Sequence, residues 1–214
     1  MEYTPPSMFV VKKTMNSFLA TDTPPDTDTN KQQALGMQQV LNRNLLEQRM
    51  IFLWGAVEDD NARVIVEQLC YLAGIDAARP IHFYINSPGG MVTAGNAIHD
   101  MMQSIAAPVY TYCIGHAASM AAILLSAGEK GHRYIYPMAE VMIHQPSMGG
   151  FRGRMWEIEI HAKQIAKAKE MAARILAANC GKDTDRIKED FDKDHWMDAQ
   201  EAIAYGIVDK IVAA

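Results

Sequence analysis

Ile81-His82-Phe83-Tyr84-Ile85-Asn86-Ser87-Pro88-Gly89-Gly90 reads as an apolar strand that stops at a Pro-Gly-Gly turn, and a helical pattern follows over Val92 to Ile105. The same unit lies on either side. Upstream, Met50-Ile51-Phe52-Leu53-Trp54 ends at Gly55 like a buried strand, and Asp60 to Leu72 sets Val64, Leu69 and Leu72 at helical intervals. Downstream, Val109 to Ile114 is strand-like, turns at Gly115-His116, and enters an Ala-rich helix from Ser119. Strand and helix in alternation imply an α/β fold with a largely parallel sheet and right-handed crossovers. Beyond these units, Arg154 to Cys180 is a long proline-free helix with Ile158, Ile165, Ala172 and Ile175 on one stripe and Gly181 as its stop. Such a helix is expected to project or to pack against a partner. Residues 21–33, with Thr23-Pro24-Pro25-Asp26-Thr27-Asp28-Thr29-Asn30, are too polar to offset their ordering entropy by burial and read as a loop.

Composition excludes several classes of function. A net charge of −5, with no basic cluster longer than Lys12-Lys13, supplies no footprint for nucleic acid. The most apolar internal run, Ala117 to Ala127, falls short of the roughly 20 residues of a spanning helix, so no membrane is expected. The amino-terminal run Met8 to Val11 is too short for a secretory core, which points to the cytoplasm. Cys70, Cys113 and Cys180 lack paired spacing and read as buried free thiols, with no metal and no cofactor implied. No GxxxxGK phosphate loop is present, so any ATP-driven step must come from another protein.

Three features carry chemistry. Ser119 lies at a strand-to-helix junction among Ala117, Ala118, Ala121 and Ala122, where a substrate backbone can approach and helix-terminal N–H groups favour developing negative charge. Small residues there would equally serve tight helix packing, and the GxSxG elbow is absent. The turn at Gly89-Gly90 can adopt positive φ and leave backbone N–H groups free, as an oxyanion hole requires, although an ordinary Pro-Gly turn has the same letters. In Met142-Ile143-His144-Gln145-Pro146 a histidine ends a short apolar strand, which makes His144 the candidate base. His99, His132, His161 and His195 read as surface residues, whereas His82 and His116 border apolar strands and stay open as alternatives. For the acid, spacing does not choose among Asp190, Asp192, Asp194, Asp198 and Asp209.

Four motifs in order resemble the ClpP family: Tyr84 to Gly90, Gly115-His116-Ala117-Ala118-Ser119-Met120, Met142 to Pro146, and Ala204-Tyr205-Gly206-Ile207-Val208-Asp209. The resemblance runs from about Glu47 to the carboxyl terminus and includes Glu157-Ile158-Glu159-Ile160-His161-Ala162 of the long helix. It implies a crotonase-like fold of repeated ββα units with a protruding handle helix, and a serine endopeptidase acting on unfolded polypeptides. It further implies Ser119 as nucleophile, His144 as general base, Asp194 as orienting acid, and the backbone amides of Gly90 and Met120 as the oxyanion hole. The implied assembly is a tetradecamer of two stacked heptameric rings enclosing a chamber, fed by a hexameric AAA+ ATPase. Residues 1–46 depart from the family's amino-terminal pattern and read as a divergent segment or axial loop preceding a protease domain over residues 47–214. His82 and Ser104 replace residues that are commonly aromatic in the family's docking pocket, which suggests an isoform sharing a mixed ring with a second ClpP. One extra residue falls within His144 to Gly150, beside the stretch expected to bind substrate as an added strand. Two rival readings are a hydratase or isomerase of the crotonase type and a weakly active ring subunit.

Overall fold

Five strands build the frame of the sheet: β1 (Met50–Trp54), β2 (Ile81–Ser87), β3 (Val109–Ala118), β4 (Arg133–Ile135) and β7 (Lys210–Ile211), hydrogen-bonded in that order and all parallel. The computed structural model describes residues 27–147 and 152–213. Between the strands run α2 (Asp59–Ile75) and α3 (Val92–Ser104), so the alternation of strand and helix read from the sequence is the architecture found. The result is the mixed α/β fold that the sequence leads one to expect.

Alternation along each strand sends side chains to opposite faces of the sheet. Ile51, Leu53, Phe83, Ile85, Cys113 and Ile135 fill the main core. Their neighbours Phe52, Tyr84, Tyr112 and Tyr134 sit directly opposite one another across four strands and stack at centroid distances of 5.1, 4.6 and 4.8 Å. His82 belongs to this second face, buried, with Nδ1 2.9 Å from the Tyr112 hydroxyl.

Burial, reinforced by the Arg49 and Arg79 guanidinium groups, pushes the His82 ring down to about 4. An unfolded chain takes up that proton near pH 6.5. The stability carried by the neutral ring is therefore complete above pH 6.5 and is lost as the pH falls towards 4, a change on the order of 3 kcal/mol. His82→Phe should flatten this acid-side loss when urea midpoints are compared between pH 7 and pH 4.5. An unchanged pH slope would count against the assignment.

The sheet forks at Gly115. Before it, Thr111–Cys113 pair with β4; after it, His116–Ala118 pair with β5 (Glu140–Ile143). The expected turn at Gly115-His116 is thus a correction: β3 continues through it, with Gly115 at φ 72° and a register shift against β2 between Ile85 and Ser87. A side chain at Gly115 would press on Asn86, whose Oδ1 also accepts from the His116 N–H at 3.4 Å. β5 then pairs antiparallel with β6 (His195–Met197). The short helix α4 (Met120–Ser126) starts where β3 ends and is wholly buried.

Helix α5 (Met155–Cys180) begins with the Glu157 carboxylate accepting the Arg154 N–H at 2.6 Å and ends at Gly181 in the left-handed conformation, as its sequence predicts. Only its carboxyl-terminal part is buried, through Ala172, Ala173, Leu176 and Ala177, whereas Met155, Trp156, Ile158 and Ile160 are exposed. Two short helices follow, α6 (Thr184–Asp190) and α7 (Ala199–Tyr205). At the start of α7, Asp198 Oδ1 accepts from the N–H groups of Gln200 and Glu201.

Two units divide the chain, residues 1–45 and 46–214. Most of α1 (Thr27–Glu47) falls in the first. Residues 27–33, expected in a loop, are helical; the Lys, Gln, Ala and Leu that follow Asn30 are strong helix formers, and propensity prevails over the polar composition. Residues 21–26 lie outside the described residues. Cys113 is buried as expected, but Cys70 is exposed on α2, its thiol 3.3 Å from Met101 sulfur, and Cys180 is half-buried.

Candidate active site

Ser119 occupies the single residue between β3 and α4, with φ 56° and ψ −122°. A non-glycine residue there is strained, and the surroundings hold it in place. Its N–H donates to Met142 O at 2.8 Å, and its carbonyl accepts from the Ala122 N–H at 3.0 Å. The hydroxyl consequently leaves the end of the strand on a fixed backbone. Its partner is His144, on the residue after β5, with Nε2 2.8 Å from Oγ. Because β5 pairs with β3 over His116–Ala118, the two side chains meet at the end of one parallel ladder.

The opposite ring nitrogen, Nδ1, lies 3.4 Å from Asp194 Oδ1. Asp194 immediately precedes β6, whose His195 pairs with Ile143. Each of the other four carboxylates has different partners. Asp190 accepts from Arg186 and the Tyr205 hydroxyl, Asp192 from Gln145, Asp198 from backbone of α7, and Asp209 from Arg133. Among the alternative histidines, His82 is turned to Tyr112, and His116 is paired in register with Glu140.

Beside the hydroxyl, the Gly89-Gly90 turn is pressed against two backbones. A Cβ on Gly89 would lie 2.7 Å from Ser119 Cβ and 2.9 Å from Met120 N; one on Gly90 would strike the Val57 carbonyl. Val57 N–H donates to Gly89 O and Met91 N–H donates to Val57 O, both at 2.8 Å, so the turn is stitched down on either side of Gly90. Met120 is the first residue of α4, a position whose N–H has no acceptor within the helix. The sequence points to both glycines but not to Val57, which lies in an unremarkable stretch and acts through its backbone. A cleft opens over Ser119 and His144, lined by apolar side chains from three helices, including Val92, Ile123, Met171 and Ile175.

A hydroxyl hydrogen-bonded to an imidazole, with a carboxylate behind the imidazole, is an arrangement for nucleophilic acyl transfer. The family model for Clp protease matches residues 31–214. The chain belongs to the Clp protease family. Peptide-bond hydrolysis of the serine type is the activity of Clp proteases, which generally work in oligomeric rings with AAA+ ATPases. The match begins at Lys31, upstream of the Glu47 from which the motifs alone carry the resemblance, and so takes in most of α1.

Within this Clp protease, Gln145 and Lys169 also escape a reading of the sequence alone. Gln145 directly follows the histidine, and its amide reaches both the segment that carries Asp194 and, on α5, the Lys169 ammonium. Its position beside His144 is the one sequence signal that could have drawn attention to it. Residues 148–150, the end of the His144 to Gly150 segment that holds the extra residue, lie outside the described residues. No helix among the described residues is long and apolar enough to cross a membrane.

Proposed function

We propose that this chain is a serine endopeptidase subunit that cuts unfolded polypeptides through an acyl-enzyme, with Ser119, His144 and Asp194 as its triad. The observation that carries the reading is the 2.8 Å contact between His144 Nε2 and Ser119 Oγ at a strained strand-to-helix turn. His144 takes the hydroxyl proton as Oγ attacks the scissile carbonyl, then returns it to the leaving amine. Asp194 holds the ring in the tautomer whose Nδ1 carries hydrogen and stabilises the imidazolium. The amides of Gly90 and Met120 receive the oxyanion, and water repeats the sequence to release the acid. No cofactor takes part. The apolar cleft suits an apolar side chain on the acyl side of the cut.

The family and the lack of a phosphate loop support a wider setting: two heptameric rings, or a mixed ring with a second isoform, supplied with unfolded chains by a hexameric AAA+ ATPase in the cytoplasm. Residues 1–46 would serve at the entry to the chamber and residues 47–214 as the protease domain.

Labelling by a serine-reactive fluorophosphonate, read with native mass, tests the site and the ring together. Ser119 should be the modified residue in a species of ring mass, and His144→Ala should slow labelling at least about 10²-fold. Hydration or isomerisation of an acyl-CoA thioester, with no cleavage of peptide, would favour the crotonase-type rival. Rings that resist labelling would favour the weakly active subunit.

Gly90→Ala forces a methyl group onto the Val57 backbone at a residue with φ 153°. The turn must move, and its amide moves with it. We expect kcat on a fluorogenic peptide to fall roughly 10²- to 10³-fold, the effect of losing one oxyanion donor. Full activity would remove Gly90 from the oxyanion hole.

A further inference from the structure

Asp194 is the loosest member of the proposed triad. Its carboxylate is 64% exposed and 3.4 Å from the ring it faces, so packing alone does not hold it. The loop that carries it is instead tied down at two points, and both ties come from the neighbours of His144. On one side Ile143 pairs with His195 in the β5–β6 ladder. On the other, the Gln145 N–H donates to Phe191 O at 2.7 Å, and Gln145 Nε2 donates to Asp192 O at 3.1 Å and Asp192 Oδ1 at 3.2 Å. Asp194 is thus hung between anchors that flank the histidine it must meet.

The far end of the Gln145 amide is set by α5. Gln145 Oε1 accepts from Lys169 Nζ at 2.8 Å. An ammonium only donates, so it takes the amide oxygen and leaves the NH₂ facing Asp192, whose carbonyl and carboxylate only accept. The amide therefore has one consistent orientation. Lys169 Nζ is also 3.9 Å from Asp192 Oδ1 and 5.8 Å from the centroid of the buried Phe191 ring.

We propose that Gln145 and Lys169 are positioning residues for the triad: Lys169 orients the Gln145 amide, and that amide fixes the loop so that Asp194 meets His144. The inference rests on the reading of Asp194 as the orienting acid. A displacement of about 1 Å in a catalytic group can cost on the order of 10²-fold in rate, which sets the scale of the effect.

The test uses full-length protein and two readouts, the rate of fluorophosphonate labelling of Ser119 and kcat on a fluorogenic peptide. Gln145→Glu keeps the shape but replaces the NH₂ donor with a carboxylate facing Asp192. Lys169→Met keeps the stem and removes the donor to Oε1. Each should lower both rates roughly 10- to 100-fold with KM changed less than about twofold, and Lys169→Arg should restore most of the loss. The deciding arm repeats Gln145→Glu and Lys169→Met in an Asp194→Ala background, where neither should slow the protein further, because the clamp acts only through Asp194. Equal fractional losses in both backgrounds, or no loss in either, overturn the proposal. If Asp194→Ala alone kept full rates, the orienting-acid reading would fall first, an outcome visible without either clamp variant. The two clamp positions lie on different elements, so misfolding of one variant leaves the other to decide.

Discussion

Ser119→Ala should abolish peptide hydrolysis, with kcat falling by roughly 10⁶-fold, the scale seen when the nucleophile of a serine triad is deleted. The residual rate is set by the oxyanion hole and substrate binding, which survive the change. The backbone that presents the hydroxyl does not depend on it: Ser119 is held by its N–H on Met142 and its carbonyl on Ala122. The thermal midpoint should accordingly stay close to that of the parent, and native mass should be unchanged. Initial rates on a fluorogenic peptide, with fluorophosphonate labelling on the same sample, make the measurement. Peptidase activity near the parent level in purified Ser119→Ala would refute the nucleophile.

Arg133→Met should cause a large loss of stability, about 3–5 kcal/mol. Arg133, on β4, is almost fully buried and grips Asp209 in a two-pronged pair, Nε to Oδ2 at 2.9 Å and Nη2 to Oδ1 at 2.6 Å. Its remaining N–H groups reach Ser126 O at the end of α4 and Asn179 O near the end of α5. One guanidinium thus joins the sheet, the carboxyl-terminal segment and two helices, one of which carries Ser119 at its other end. Burial pushes the Asp209 carboxyl up, but hydrogen bonds from Arg133 and from the Gly131 and Arg133 amides outweigh it and hold the group below its usual range. A carboxylate lowered in this way stabilises the fold above its unfolded value near pH 4 and loses that contribution only as the pH falls below it. The full loss in Arg133→Met should therefore show at neutral pH, as a lowered urea midpoint at fixed subunit concentration. Replacing both partners, Arg133→Met with Asp209→Leu, should recover part of it, because the larger share of the cost comes from leaving one charge buried alone. A single variant as stable as the parent would show that the pair is dispensable.

The motif residues and the pair at Arg133 mark where local and tertiary information divide. Strands with continuous apolar runs, helices with 3.6-residue periodicity and the stop at Gly181 were legible because each expresses a preference of the local chain. The loop over residues 27–33 was misread because its composition and its helix propensity disagree. The turn at Gly115-His116 was misread because a glycine at positive φ serves a bulge within a strand as well as a turn between elements. Cys70, expected inside, lies on the exposed side of α2, and only packing decides which side of a helix faces out.

By itself the sequence determined an alternating α/β chain, a serine at a strand-to-helix junction, a Gly-Gly turn before it and a histidine ending a strand after it. Its motifs, taken together, identified the family. Only the tertiary structure decided which groups meet. Five aspartates of one chemistry crowd the carboxyl-terminal region, and spacing gives them equal standing. The fold sets each against a different partner: Arg186 and Tyr205, Gln145, His144, the start of α7, or Arg133. The physical reason is that hydrogen bonds and ion pairs act over about 3 Å, whereas these partners lie as far as 76 residues apart in the chain. What sets Asp194 beside His144 is the antiparallel pairing of β6 with β5, and with it the Gln145 amide, neither of which is written in the neighbourhood of Asp194 itself.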